Sequence, residues 1–449
     1  MSASAAIGPV GSTLKVVNKK GGRYSGGPGG RDKPQTGSAP MELKRLNLRD
    51  GCQLLAELSL FPDSPKGRQK QRKVCLFASS FSKPPQARGM LNSSNSCFVN
   101  AIMQAVAFTP ALAQLCVSAA EETKFCPTLS RLGKWLLSYW AKTATQMVDP
   151  PKLAFARRPG TRTSLGSHAS FSRMDGSTQE DALEFLQELL VLIKSDLCAL
   201  EEHHLRNQKN SNIALNLGSA LDGGNGCDMK GWTYVYGRER RSMRWDGDSR
   251  CSFLFQAIFG GVVENHLKGK SRSRNHASVV LEGFTVLPVD VGFSAECSLD
   301  EALLHTLQKE KIYDEKRGKD LVKTTRFHSL PLVLFLQLRR WAVTAEGELV
   351  KLDNVVRFSR TLVLPKATCT EEALSGDGRR YNLIAFVAHR GSSMERGHYV
   401  TYLVNTSGGA GSVDEDGVIL CNDTRISAAS LREAVENEAV YLLVYQRKP

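Results

Sequence analysis

Between residues 89 and 200 the apolar positions return at helical spacing. Phe98, Ile102 and Val106 lie four apart on one helical face, behind a loop of small polar residues, so a helix is expected to begin at Cys97. Ala182, Phe185, Leu186, Leu189 and Leu190 form a second apolar stripe. Ser177 and Glu180 fit a capping box, which places the start of that helix at Ser177. From Cys251 onward short strand-like runs take over. Residues 331–338 (PLVLFLQL) are almost continuously apolar, as a strand buried on both faces would be. Residues 381–388, 398–404, 418–420 and 439–445 are further strand candidates. Residues 201–250 are polar, Gly-containing and irregular, and read as an insertion. Helices first and strands later indicate an α+β fold. No internal repeat is visible.

The first 85 residues depart from this pattern. Residues 1–40 are rich in Gly, Ser, Pro, Lys and Arg. Such a stretch buries too little apolar surface to offset its ordering entropy, so a disordered N-terminal region is expected over 1–85. The length permits two to four domains, though one elaborate domain over 86–449 behind that tail fits as well. No continuous apolar segment there suggests a secretory signal; a transit-peptide reading is the weaker alternative to a plain tail.

Composition narrows the function classes. The chain has 449 residues, 41% of them apolar, and carries a formal charge of +14. Residues 1–88 hold 16 Lys/Arg and 5 Asp/Glu, a net of +11, which leaves +3 for the rest. An acidic or nucleic-acid partner is therefore an expectation for the N-terminal region alone. The run at 66–73 (KGRQKQRK) reads as a solvated linker or, more sharply, as a nuclear-import or nucleic-acid contact. No apolar stretch approaches the ~18 residues of a membrane span, so no membrane partner is expected. Eleven cysteines without a CxxC pair argue against a disulfide framework and against a Cys-based zinc site. A reducing compartment, cytoplasmic or nuclear, follows, with no cofactor and no metal.

Chemistry concentrates at three places. At Cys97 a thiol stands at a helix N-terminus, where free N–H groups and the positive end of the dipole stabilise a thiolate. Asn92 and Asn95, just upstream, can donate side-chain N–H groups to an oxyanion. His398 stands at the start of a strand after a short loop, and an imidazole there is a natural base for a thiol. Such a base needs an orienter, and Asn422 or Asp423, between two strands, can each accept its second N–H. An inert buried cysteine, a structural histidine and an Asx turn are the plain readings of the same residues.

Read together, these segments resemble the ubiquitin-specific protease family. Gly89–Gln104 (GMLNSSNSCFVNAIMQ) resembles its cysteine box, with Ser94 for the usual Gly and Ser96 for the usual Thr. Residues 381–402 resemble its histidine box, His389 and Gly391 filling the first part and Gly397, His398, Tyr399 and Tyr402 the second. Residues 418–426 (VILCNDTRI) resemble the strand bearing the third triad member. Gln179, Asp181, Ala182, Glu184, Phe185 and Leu186 match its Gln-Gln-Asp-Ala-x-Glu-Phe-Leu motif, and residues 330–341 and 439–445 match its later strands. The resemblance runs from about Gly89 to Gln446.

The resemblance implies a papain-like fold with a helical thumb, a β-rich palm and a strand extension, the fingers, that grips ubiquitin. It implies Cys97 as nucleophile, His398 as base, Asn422 as its orienter with Asp423 beside it, and Asn92 at the oxyanion. Asp181, Gln179, Gly397 and Tyr399 would meet the ubiquitin tail, Asp181 through an arginine of that tail. Ubiquitin and ubiquitinated proteins would be the partners. Many members carry two CxxC pairs in the finger region; residues 259–280 hold no cysteine, so no zinc is expected. A protease for another ubiquitin-like modifier and a catalytically dead ubiquitin-binding scaffold are the rival readings.

Overall fold

A computed structural model describes residues 48, 81, 85–92, 95–143, 145–153, 180–207, 232–236, 239–244, 252–269, 278–314, 318–374, 378–392, 396–404 and 417–447. Ser94, Ser177, Gln179 and the basic run at 66–73 lie outside these residues.

The first lobe is helical. Helix α1 (Cys97–Phe108) begins at Cys97 as the apolar spacing requires, and turns sharply through Thr109 into α2 (Pro110–Ser118). Helices α3 (Pro127–Ala141), α4 (Ala182–Asn207) and α5 (Phe253–Phe259) complete it. Phe98, Ile102, Met103 and Val106 of α1 are buried, so this helix is apolar on every side and lies inside the lobe.

Strands dominate the rest: β1 (Trp232–Tyr236), β2 (Glu239–Arg244), β3 (Gly261–Gly269), β4 (Ser278–Phe284), β5 (Val286–Asp290) and β6 (Glu296–Ser298). Helix α6 (Leu299–Thr306) carries a Ser298/Glu301 capping box. Next come β7 (Glu310–Asp314), β8 (Lys319–Ser329), β9 (Val333–Arg339), β10 (Trp341–Val343), β11 (Leu349–Lys351), β12 (Val355–Arg357), β13 (Thr361–Val363) and a short α7 (Glu371–Leu374). The chain ends with β14 (Arg380–Arg390), β15 (His398–Val404), β16 (Gly417–Asn422), β17 (Arg425–Ser430), α8 (Leu431–Asn437) and β18 (Val440–Arg447).

An eight-stranded sheet runs β17-β16-β15-β14-β18-β9-β5, with β13 pairing β14. It is buried on both faces. Val333, Phe335, Ala385 and Val387 point into the core shared with the helices, while Leu334, Leu336, Phe386 and Ala388 point into a second core behind the sheet. This two-sided burial is why 331–338 reads as a continuous apolar run. Helix α1 packs on β15 and β14, and Thr401 Oγ1 donates to the Ala101 carbonyl at 2.7 Å, fixing helix to sheet.

A six-stranded sheet, β1-β2-β4-β3-β8-β7, forms the extension. Here the expectation of an irregular 201–250 is corrected. Helix α4 continues to Asn207, and β1 and β2 form a hairpin joined in parallel to β4. The residues of β2, ERRSMR, lack the apolar alternation by which a half-buried strand is recognised. Leu48, assigned by sequence to the tail, is only 5% exposed and joins the core that contains Cys97 and Phe98.

Candidate active site

Cys97 is the first residue of α1 and is buried, facing the sheet that carries His398. His398 opens β15, and Asn422 closes β16 next to it. The His398 Nε2 lies 2.7 Å from Asn422 Oδ1 and 3.8 Å from Asp423 Oδ2. Only the first is a hydrogen-bond distance. With Nε2 donating to Asn422, Nδ1 is left for the Cys97 thiol. That hydrogen bond, ahead of the one to Asn422, pushes His398 up to about 9 against the opposing cost of partial burial; the charge of Asp423 adds in the same direction.

The turn between β16 and β17 has two residues, Asp423 and Thr424, with Asn422 paired to Arg425. Its first residue needs positive φ, and Asp423 adopts +49°. This conformation aims the Asp423 carboxylate back at the cysteine loop. Oδ2 accepts from Asn92 Nδ2 at 2.8 Å, Oδ1 from Asn100 Nδ2 at 2.8 Å, and the backbone carbonyl from Met90 N–H at 2.8 Å. Asn92 in turn accepts from the Ser96 N–H and hydroxyl at 3.0 and 3.1 Å. Its carboxamide is thereby fixed against Ser96, the residue before Cys97, with one N–H of two committed to Asp423. Asn95 is exposed.

Two residues of the cysteine box that the sequence matched without a role now have one. Asn100 Nδ2 also reaches the Leu91 carbonyl at 3.2 Å, and Gln104 donates to the Arg88 carbonyl at 2.7 Å while accepting from Tyr139 at 2.7 Å. Cys97, Asn100 and Gln104 are three and seven apart, one helical face, so α1 holds its own approach loop. That spacing was the available signal.

The tail-facing candidates are placed differently. The helix expected to start at Ser177 starts at Ala182, and Glu180 precedes it. The cap is Asp181, whose Oδ1 accepts from the N–H groups of Leu183 and Glu184 at 2.6 and 3.2 Å. Its Oδ2 accepts from the hydroxyls of Tyr399 at 3.1 Å and Tyr441 at 2.9 Å. Burial, then the Asp181 charge, pushes both phenols up, so both remain donors. Gly397 is required by packing: a Cβ there would lie 2.1 Å from His389 Nε2 and 2.7 Å from the Arg390 carbonyl. His389 is itself buried and pushed down to about 4, first by burial and then by Lys351, so its ring is neutral. Among the described residues no group of His, Cys, Asp and Glu side chains has the arrangement of a metal site, and none of the seven described cysteines is in a disulfide.

Residues 88–445 match the family model described as "Ubiquitin carboxyl-terminal hydrolase". The "Probable ubiquitin carboxyl-terminal hydrolase 3" of Schizosaccharomyces pombe is 26% identical over 403 residues, covering 82% of this chain and 75% of that protein. Ubiquitin carboxyl-terminal hydrolase 24 of Arabidopsis thaliana is 24% identical, covering 81% and 69%. Among solved structures, the SAGA Ubp8/Sgf11/Sus1/Sgf73 DUB module bound to ubiquitin aldehyde aligns with a TM-score of 0.51 at 19% identity, over 84% of this chain and 73% of the other. At that identity the likeness is one of fold.

Proposed function

The chain belongs to the ubiquitin carboxyl-terminal hydrolase family as a ubiquitin-specific protease, and from that premise we propose the residues and steps by which it works. It is a cysteine-type deubiquitinating hydrolase that cleaves the bond after the C-terminal glycine of ubiquitin on conjugates. The observation that carries the assignment is His398, hydrogen-bonded to Asn422 at 2.7 Å and raised first by its interaction with Cys97.

Cys97, as thiolate, attacks the terminal glycine carbonyl. The oxyanion is met by the remaining N–H of Asn92 and by the N–H groups at the start of α1, which have no partner within the helix. The tetrahedral intermediate collapses, its C–N bond breaks, and the imidazolium of His398 gives its proton to the departing lysine amine. A raised His398 suits that role, because the proton is present at neutral pH. His398, now neutral, deprotonates a water that attacks the thioester, and Cys97 leaves as thiolate. Asp423 positions Asn92 and adds negative charge near the imidazolium. Asp181, Tyr399 and Gly397 belong to the wall against which the tail lies, with Asp181 receiving an arginine of the tail.

The +11 charge of residues 1–88 supports an acidic or nucleic-acid partner for the N-terminal region. The free thiols support a reducing compartment, cytoplasm or nucleus. The deciding experiment is Cys97→Ala with a fluorogenic C-terminal amide of ubiquitin as substrate. Turnover should vanish while ubiquitin still binds; turnover near wild type would place the nucleophile elsewhere.

A further inference from the structure

We propose that Lys351 is a positioning residue for His398, clamping the backbone at the point where β14 leaves the sheet towards the catalytic histidine. The inference rests on Cys97 and His398 being the reacting pair. Lys351 ends the β10–β11 hairpin, and its ammonium donates to the carbonyls of His389, at 3.0 Å, and of Gly391. These two carbonyls flank Arg390, which stands directly opposite His398 in the β14–β15 ladder.

The clamped residues touch the residues that lead into His398. Gly391 adopts a φ of +145°, and a Cβ there would lie 2.5 Å from the Arg396 carbonyl. Gly397 is pressed against His389 Nε2. The segment leaving β14 and the segment entering β15 are therefore in contact, and a shift at 389–391 is passed to 397–398. Interiors packed this closely transmit displacement.

The clamp is anchored at its other end. Arg340, buried at the hairpin root, donates from Nε to the Val440 carbonyl at 2.8 Å, and its own carbonyl accepts from Leu352 N–H at 2.7 Å. Trp341 pairs with Lys351 in register, and its ring meets His389 edge-on at 6.2 Å. Lys351 thus ties a hairpin rooted on β18 to the start of the histidine loop. Carboxylates stand within electrostatic range, Asp353 and Glu438, yet the ammonium hydrogen bonds run to the carbonyls. Bonds to a charged donor are stronger than neutral ones, which suits a clamp made of two contacts.

Lys351→Met keeps the side-chain stem and removes the donors. It should lower kcat on the ubiquitin C-terminal amide about 10- to 100-fold, the scale of an angstrom-sized misplacement of a catalytic group, while ubiquitin affinity in the Cys97→Ala background changes by less than about threefold. Alkylation of Cys97 by iodoacetamide, followed against pH, should shift its profile upward, because the imidazolium is held less well beside the sulfur. Lys351→Arg should recover most of the lost kcat. A kcat within about twofold of wild type with an unmoved alkylation profile overturns the proposal, as does a rise in KM and Kd at constant kcat, which would make Lys351 a binding residue. Should Lys351→Met fail to fold, Lys351→Gln, with a shorter donor, carries the same expectations. If Cys97→Ala itself retains turnover, the reading of the reacting pair fails instead, and the two failures are distinct.

Discussion

Asp423 accepts a hydrogen bond from the Asn92 carboxamide at 2.8 Å across a sequence separation of 331 residues. The pair joins the loop that precedes Cys97 to the turn that follows Asn422. One carboxylate also holds Asn100 on α1, so the distance between Cys97 and His398 is set partly by a residue that touches neither sulfur nor imidazole at bonding range. Asn422 and Asp423, adjacent in sequence, therefore have different hydrogen-bond partners, and substitution separates the roles proposed for them.

Asn422→Ala removes the acceptor at 2.7 Å from His398 and should lower kcat by about 10- to 1000-fold, the range for losing one positioned group. Asn422→Asp supplies an oxygen at the same place and should retain substantial activity. Asp423→Ala should act through Asn92, lowering kcat by about 10- to 100-fold with ubiquitin affinity unchanged. A larger loss for Asp423→Ala than for Asn422→Ala, with both proteins folded, would transfer the orienting role to Asp423.

The pH dependence follows from His398, raised from 6.5 to about 9 chiefly by its hydrogen bond to Cys97. The imidazolium needed for proton donation persists at neutral pH and is lost as pH rises through about 9, so kcat/KM should fall on that limb. A raised folded-state value also means that the stability contributed by this group is fully present below 6.5 and disappears between 6.5 and about 9. In Cys97→Ala the largest upward influence is gone. The His398 ring protons, followed by NMR, should then titrate closer to the ordinary value. An unchanged midpoint would show that Cys97 is not its partner.

What could be read from sequence was local. The helix at Cys97, the strand at His398 and the two-face-buried strand over 331–338 each declare themselves within a dozen residues, because their period or run length is set by burial of that segment alone. The roles of Asp181 and Asp423 were not legible in that way. Asp181 is defined by Tyr399 and Tyr441, 218 and 260 residues distant, and its capping role displaced the expected Ser177 start. Asp423 is defined by a turn conformation and by Asn92 and Asn100 on the other lobe. Strand β2, ERRSMR, was not legible because its pairing with β1 and β4, not apolar alternation, fixes it.

Leu48 divides the N-terminal region. Deleting residues 1–47 should leave kcat and Tm as in the full chain. Deleting residues 1–80 removes a side chain only 5% exposed from the core around Cys97. Loss of a buried leucine side chain costs about 2–5 kcal/mol, so the longer deletion should lower Tm by several degrees while kcat on a small ubiquitin substrate, assayed where the protein is folded, changes little. Equal Tm values for the two deletions, measured by calorimetry, would show that Leu48 contributes nothing to the core it occupies. A collapse of kcat in folded 1–80 deletion would instead make the segment part of the active site.

The arginine contact proposed for Asp181 must fit beside the bonds this carboxylate already makes. Its two oxygens already accept four hydrogen bonds, from Leu183, Glu184, Tyr399 and Tyr441, which is about the full lone-pair capacity of a carboxylate. A guanidinium from the ubiquitin tail can bind there only by displacing or sharing with a tyrosine hydroxyl at Oδ2. Tyr441→Phe frees one such site and should leave KM for ubiquitin unchanged or lower it. Asp181→Asn keeps one oxygen for the helix cap but removes the charge, and should raise KM by about tenfold at nearly constant kcat, the worth of one charge-assisted bond. Asp181→Ala loses the cap as well and should also lower Tm, since an N-cap is worth about 1 kcal/mol. The decisive measurement is a double-mutant cycle between Asp181→Asn and ubiquitin whose tail arginine is replaced by leucine. If the two groups meet, the combined penalty is smaller than the sum of the single ones. Full additivity would leave Asp181 as a helix cap and tyrosine anchor that shapes the wall of the channel without touching the arginine.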